Sequence, residues 1–231
     1  MTINGFMKVY IFIFYIIISF SKIFAHESHY KNLSKIEMDV LRNGKIIGYS
    51  NYFFKHNNEN MTVENHTKFS VDMFGIKIFS IDSKSKEIYK KGNLISFESK
   101  TLQNDKIKFV KLNYDKKKNK FIIEGSSYMG EANPNNVIGN WWNSKILSTK
   151  TQISPLSGSI KKQSVKLIGK DEIEFKGKKI KLFVFKLKST EDLPDNKKLD
   201  FDILLDPNEG IIFKVKYNRL GNWEYRLKNY E

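Results

Sequence analysis

Two adjacent tryptophans followed by an asparagine, Trp141-Trp142-Asn143, lie in residues 130–158, the one long stretch of the chain without strand alternation. Indole rings on a loop present broad apolar faces and an N–H donor, and a neighbouring amide can orient a polar head group. We therefore predict that these three residues contribute to a site for an apolar or amphiphilic ligand. The alternative is that Trp142 anchors the loop in the core and Asn143 caps a turn.

A second candidate site lies near the N-terminus, at His26 and His29. If a signal peptide is removed after Ala25, the new terminal amine and these two imidazoles form a potential ligand set for Cu(II) or another borderline metal. A firm site would need a more distant histidine, His56 or His66. The alternative is a frayed polar tail. The sequence indicates no cofactor.

Paired carboxylates occur on single predicted strands, Asp200 with Asp202 and Glu172 with Glu174. Such pairs support acid–base chemistry only in a desolvated cleft, whereas these lie among lysines on faces that alternate with apolar residues. The chain has no cysteine, no Gly-x-Ser-x-Gly elbow and no Gly-rich phosphate loop, and its four histidines all precede residue 67. Neither a catalytic triad nor a phosphate site is indicated, which favours a non-enzymatic protein.

The chain is strongly basic, with a formal net charge of +15. A charge of this size suits nucleic acid or an anionic membrane surface. Only Arg42, Arg219 and Arg226 are arginines, however, and bidentate recognition of phosphate favours arginine over lysine. We therefore expect a solvated basic surface and no nucleic-acid partner, with loose association with an anionic envelope surface as the alternative.

The first 25 residues have the layout of a signal peptide. Lys8 precedes the apolar run VYIFIFYIIISF at residues 9–20, and Ala25 supplies a small residue before the cleavage point. That run is shorter than the roughly 20 residues of a membrane-spanning helix. We expect a periplasmic or secreted protein, with a retained N-terminal membrane anchor as the alternative. Residues 26–34 would form a polar leader, and residues 35–231 a single all-β domain.

Period-two alternation of apolar and polar residues recurs on both sides of residues 130–158. Lys35–Arg42 alternates, Asn43-Gly44 is a strong two-residue turn signal, and further short strands follow, with separate strands expected at 76–82 and 86–90 and at 159–168 and 172–175. A sheet this long must curl, split or close. We predict an all-β fold: a single strongly curved antiparallel meander sheet, barrel-like or half-barrel, with the Trp-containing loop over its open side.

A series of short motifs in a particular order resembles the Domain of Unknown Function 6134 family. The motifs are Val40-Leu41-Arg42-Asn43-Gly44-Lys45-Ile46-Ile47-Gly48, Ser99-Lys100-Thr101, Trp142-Asn143, Thr151-Gln152, Leu156-Ser157-Gly158, Asp206 with Gly210, and Gly221 with Glu224-Tyr225-Arg226-Leu227. The resemblance covers nearly all of the mature chain. It implies an exported bacterial protein and assigns no reaction. The layout is also similar, more loosely, to bacterial envelope β-domains that hold an apolar ligand, such as the lipoprotein carriers.

Our leading hypothesis is an exported envelope domain that binds or carries an apolar or amphiphilic ligand, such as a lipid, beneath the Trp loop. One alternative is a structural or interaction protein of the envelope with a filled core and no small ligand. The other is a metal-binding domain that uses the mature N-terminal histidine. An apolar cavity of a few hundred Å3 would separate the first hypothesis from the second.

Overall fold

The computed structural model describes residues 30–231, and every strand that it shows lies in residues 32–231, which pack as one unit. The strands are β1 (Lys35–Arg42), β2 (Lys45–Asn57), β3 (Asn60–Met73), β4 (Ile76–Lys90), β5 (Asn93–Gln103), β6 (Lys106–Asp115), β7 (Lys120–Gly125), β8 (Tyr128–Ala132), β9 (Val137–Ile138), β10 (Thr151–Ile153), β11 (Ile160–Phe175), β12 (Lys178–Ser189), β13 (Asp200–Leu205), β14 (Ile212–Asn218) and β15 (Asn222–Tyr230). Two short 3-10 helices, Ser144–Ser148 and Asp195–Lys197, lie in connections. No helix within residues 30–231 is both long and apolar enough to cross a membrane.

The strands form one sheet, made of two meanders that meet where β1 pairs with β15. Each strand from β1 to β8 pairs antiparallel with the next, and the same holds from β10 to β15. The junction of β1 and β15 runs from Ile36↔Tyr230 to Arg42↔Trp223. Only the two-residue β9 pairs in parallel, with β10, among the strands described. The sheet therefore begins at β8 and ends at β9 without closing.

Alternating burial gives the sheet an apolar inner face. In β1 the side chains of Ile36, Met38 and Val40 are fully buried, while Glu37 and Asp39 between them stay partly exposed. This pattern follows from the strand pleat, which directs successive side chains to opposite faces. The inner face holds the core and the outer face carries most of the lysines.

Strong curvature brings the two ends of the sheet onto a common core. Phe97, Leu112 and Ile123 of β5–β7 pack in one buried cluster with Ile138 of β9 and Ile153 of β10. These strands are far apart in the sheet order, so the sheet must curl until its ends face each other. The predicted all-β, barrel-like antiparallel sheet is confirmed, and the short parallel pair β9–β10 is a local departure from it.

Two strands are longer than the sequence predicted. β4 runs unbroken from residue 76 to residue 90, and β11 from residue 160 to residue 175. The prediction ended one strand at residue 82 and began the next at residue 86, but the Ser83 hydroxyl lies inside the sheet, 2.6 Å from the Thr101 hydroxyl. Such cross-strand hydroxyl pairs stabilise a sheet. In β11 the strands expected at residues 159–168 and 172–175 form one strand, with a bulge between Leu167 and Gly169.

Candidate functional site

The Trp loop, residues 130–158, lies across the concave face of the sheet, as predicted. The Ser99 hydroxyl of β5 donates a hydrogen bond to the Pro155 carbonyl at 2.6 Å. On the other meander, the Gln163 side-chain amide of β11 donates to the Ile146 carbonyl at 2.8 Å. The loop is therefore attached to strands on both sides of the β1–β15 junction.

Trp142 is the buried centre of this loop, with 1% of its surface exposed. Its ring meets those of Phe54 on β2 and Tyr89 on β4 edge to face, with centroids 5.4 and 5.7 Å away. Such edge-to-face pairs add stability beyond the area that they bury. The indole Nε1–H donates to Oε1 of Glu87 at 2.9 Å. Trp142 thus combines an aromatic contact with a hydrogen bond to a buried acid.

Glu87 of β4 is enclosed by hydrogen-bond donors and is 1% exposed. Besides Trp142, the Asn140 side-chain amide donates to Oε1 at 2.6 Å, and the Tyr89 hydroxyl donates to Oε2 at 2.5 Å. Burial raises the pKa of Glu87 to about 7, although the bonds from Tyr89 and Trp142 favour the ionised form. Glu87 therefore gains and loses its proton near neutral pH.

The Trp141 ring contacts the second meander, β10–β15. Its ring packs against Phe201 of β13 and Tyr225 of β15, with centroid distances of 5.1 and 6.1 Å. Its backbone N–H donates to the Tyr52 hydroxyl of β2 at 3.3 Å. Burial raises the pKa of Tyr52 to about 12, so this hydroxyl stays protonated at physiological pH. The two adjacent tryptophans therefore contact different halves of the sheet.

Asn143 is buried, and its side chain caps the 3-10 helix that follows it. The Oδ1 atom accepts a hydrogen bond from the Lys145 backbone N–H at 3.0 Å. Capping satisfies a backbone donor that the first helical turn leaves free. Of the three predicted ligand-binding residues, Trp141 and Trp142 lie on the concave face and Asn143 lies at the cap. Their part in ligand binding stays a prediction.

A family model described as "Domain of unknown function (DUF6134)" matches residues 38–228. The chain belongs to the DUF6134 family. The match includes the Trp loop and confirms the resemblance seen in the sequence motifs. No curated protein matches this DUF6134 chain.

A solved structure is similar to this DUF6134 domain in fold. It is the crystal structure of a beta-barrel-like protein of domain of unknown function DUF1849 from Brucella abortus. The TM-score is 0.60 with 11% sequence identity, and the alignment covers 86% of this chain and 97% of that chain. At this identity the likeness concerns the fold alone, and it supports the barrel-like curvature of the sheet.

The predicted metal ligands His26 and His29 lie outside the described residues of this DUF6134 domain. Within residues 30–231, no group of three or more histidine and acidic side chains is arranged to hold a metal ion. His56 is instead bound through Nε2 to the Leu33 carbonyl at 2.9 Å. His66 Nε2 lies 3.0 Å from Asp82 Oδ1. The N-terminal metal site stays a prediction.

The carboxylate pairs found in the sequence lie on the solvated outer face. Asp200 and Asp202 both form ion pairs with Lys186, at 2.5 and 3.0 Å. Glu172 is paired with Lys179 at 3.2 Å. Exposed ion pairs of this kind contribute little to stability. Their surroundings therefore provide no desolvated acid–base site.

Glu87 is the residue that the sequence reasoning missed. It shares the alternating inner positions of β4 with Ile81 and Tyr89, whereas Lys84 and Lys86 occupy the outer positions. The signal was present in this alternation, because a glutamate stands where the pattern calls for an inward side chain. Dividing β4 at residues 83–85 concealed it.

Two surface clefts, of about 350 and 420 Å3, have linings in which polar and apolar surface are nearly equal. The first lies beside Lys186, Asp202 and Lys216, and the second surrounds the turn between β5 and β6. Neither cleft includes Glu87 or either loop tryptophan in its lining. The concave face beneath the Trp loop is therefore occupied by the loop's own side chains rather than by one of these clefts.

Proposed function

We propose that this DUF6134 protein is an exported, non-enzymatic domain of the bacterial envelope, periplasmic or secreted, that binds an apolar or amphiphilic ligand such as a lipid. The ligand occupies the concave face when the Trp loop moves away from it. The observation that carries the proposal is the polar environment of Trp142, whose indole N–H binds the buried carboxyl group of Glu87 at 2.9 Å.

This polar environment is unfavourable for a loop whose only purpose is to fill a core. Burying an acid opposes folding, and apolar side chains of similar volume are often at least as stable. The Oδ1 atoms of Asn136 and Asn140 are also buried, with no hydrogen-bond partner among the described residues. Each unsatisfied buried oxygen costs about 1–3 kcal/mol. The closed position is thus weaker than its buried area suggests, which favours a loop that a ligand displaces.

The surface beneath the loop suits an amphiphile. Displacement of the two tryptophans would expose Phe54, Tyr89 and Tyr225, which bear aromatic rings on the concave face. Tyrosine combines an apolar ring with a polar hydroxyl, so the same surface can contact an acyl chain and a head group. Glu87 would supply a further polar partner once it is released from Trp142.

Selective quenching of Trp142 tests the proposal. The chain has three tryptophans, so Trp141→Phe with Trp223→Phe leaves Trp142 as the sole reporter. We expect saturable quenching of its emission by a dibrominated fatty acid, and a red shift as the indole leaves its buried position. The control titration of the same variant uses the fatty acid without bromine, which should leave the Trp142 emission unquenched.

A filled-core structural or interaction protein is the second candidate function. It is favoured by the near-complete burial of Trp142 and by the position of the two clefts, whose linings include neither Glu87 nor the loop tryptophans. In that case the Trp142 emission stays blue and unquenched up to the solubility limit of the fatty acid. Mass spectrometry of lipids that co-purify with the protein from its own envelope then also finds none in stoichiometric amount. That pair of results would overturn the ligand-binding proposal.

A further inference from the structure

An exposed apolar surface, here called the outer patch, lies on the outer face of β5 and β6 and at the tip of the neighbouring β3–β4 hairpin. Its members are large apolar side chains: Phe74, Ile76, Ile78, Leu102, Ile107 and Phe109. Phe74 is 97% exposed, Ile76 68% and Ile107 65%. Apolar side chains that are clustered and exposed mark an interaction surface, whereas scattered ones do not.

The register of the strands places three members of the outer patch, Leu102, Ile107 and Phe109, on one face of the sheet. Leu102 of β5 is paired with Ile107 of β6, and Phe109 of β6 with Lys100 of β5. The turn between β5 and β6 ends beside Ser80, whose backbone N–H donates to Asn104 Oδ1 at 2.8 Å. The β3–β4 hairpin continues past that point for several residues. At about 3.3 Å per residue, its tip projects roughly 15 Å beyond the neighbouring turn.

The aromatic residue at the tip of this hairpin, Phe74, does not contribute clearly to the stability of the domain. Phe74 occupies the turn with φ of +52°, a left-handed conformation that favours glycine or asparagine. Its ring is almost wholly exposed, so it gains little burial in return for that conformation. An exposed aromatic side chain in this position is better explained by contact with a binding partner, either a membrane or another molecule.

Lysines lie beside the β6 part of the outer patch, where Lys100 of β5 is paired in register with Phe109. Lys84 of β4 is paired in register with Lys100 of β5. Neither lysine forms an ion pair with an acidic group of the described residues. The nearby acid Asp82 is already bound by Lys68 at 3.0 Å and by His66 at 3.0 Å. The outer patch thus combines apolar side chains with positive charge beside Phe109.

We infer that the outer patch docks lengthwise on an anionic lipid bilayer, with Phe74 and Ile76 at the hairpin tip inserted among the head groups. Phe109 then contacts the same surface, and Lys84 and Lys100 beside it lie close to the anionic head groups. Apolar insertion and attraction to anionic lipid act together in interfacial binding. Charge complementarity favours this occupant over a second copy of the chain, because face-to-face pairing would bring like-charged lysines together. The inference concerns the outer face and is independent of the proposed ligand site on the concave face.

Vesicle co-sedimentation tests the inference with the mature chain, residues 26–231, which contains every described strand. The vesicles are phosphatidylcholine, with or without about a third phosphatidylglycerol. We expect binding to the anionic vesicles that salt weakens. Each basic residue near an anionic surface contributes about fivefold to partitioning, so Lys84→Glu with Lys100→Glu should lower it at least roughly 30-fold. Phe74→Ser with Ile76→Ser should lower it about tenfold or more.

Matched controls separate the outer patch from general properties of a basic protein. Lys178→Glu with Lys181→Glu makes the same change in net charge at the distant end of the sheet, on exposed positions of β12. Met129→Ser removes an apolar side chain that is 71% exposed on β8. Both controls should retain most of the binding. All the substituted positions are exposed, so the variants should unfold at the same temperature as the wild type.

Three results would overturn the inference. One is binding that falls equally in the outer-patch variants and their controls, which indicates a general charge effect. Another is the absence of binding to anionic vesicles by the folded wild type. The third is self-association without lipid that Phe74→Ser with Ile76→Ser abolishes, which identifies the patch as a contact between copies. None of these results bears on the quenching of Trp142, so the two proposals fail separately.

Discussion

Replacing Glu87 by glutamine should remove a specific pH dependence from the stability of the protein. Glutamine resembles the neutral carboxyl group in shape, and its oxygen can still accept the bonds from Trp142 and Asn140. It cannot ionise. We therefore expect Glu87→Gln to be comparable with the wild type at pH 5 and more stable relative to it at pH 8.

The magnitude follows from the pKa of Glu87, which burial raises from 4.5 to about 7. Because the folded protein holds this proton more tightly than the unfolded chain, the contribution to stability is complete below pH 4.5 and is lost as the pH rises through 7. One pKa unit corresponds to about 1.4 kcal/mol, so the full effect is about 3 kcal/mol. Between pH 5 and pH 8 the free energy of unfolding of the wild type should fall by about 2 to 3 kcal/mol relative to Glu87→Gln.

Urea unfolding of both proteins from pH 5 to pH 8, followed by tryptophan fluorescence, measures this difference. The contributions of the other titrating groups cancel in the difference between the two free energies of unfolding, because both proteins contain those groups. Glu98→Gln, at an exposed outer position of β5, is the matched control and should track the wild type. A difference between wild type and Glu87→Gln that stays constant within about half a kcal/mol would refute the reasoning. It would mean that Glu87 is solvated or that the Trp loop is not closed over it in solution.

Two further predictions concern the backbone and the N-terminus. Gly48→Ala should destabilise the protein by about 1–3 kcal/mol in urea unfolding, because a Cβ there would lie 2.1 Å from the Lys68 carbonyl oxygen. The control is Gly169→Ala, whose added Cβ has no atom within 4 Å. It should change the free energy of unfolding by less than about half a kcal/mol. If His26 and His29 form a metal site with the mature amine, Cu(II) titration should show tighter binding by the chain that begins at His26 than by a form extended before it. Equal affinity of the two forms would exclude the amine as a ligand.

The parts of the fold that depend on local alternation could be predicted from the sequence. Lys35–Arg42 and its Asn43-Gly44 turn were placed correctly, because an apolar face of period two and a turn residue tolerant of left-handed backbone specify a hairpin almost alone. The position of the Trp loop across the concave face could also be predicted, since so long a stretch without alternation in a strand-rich chain has few other places to lie.

The hydrogen bonds and burial of Glu87 could not be predicted from local alternation. Glu87 is buried because Trp142 and Asn140, more than fifty residues later, cover it and donate to it. A pattern within β4 indicates which way the side chain points, but not what covers it. The parallel pairing of β9 with β10 could not be predicted for a similar reason. Strands of two and three residues carry too little alternation to be recognised, and their pairing depends on the path of the whole loop.

The junction of β1 with β15 has a consequence for how the chain becomes folded. Within each meander, neighbouring strands are also neighbours in sequence, so the two halves can assemble from short-range contacts. The pairing of β1 with β15 joins the two halves across almost the whole length of the chain. It can form only after the last strand is available. Loss of that strand would not merely shorten the sheet but divide it, leaving two unpaired edges where the intact protein has a continuous surface.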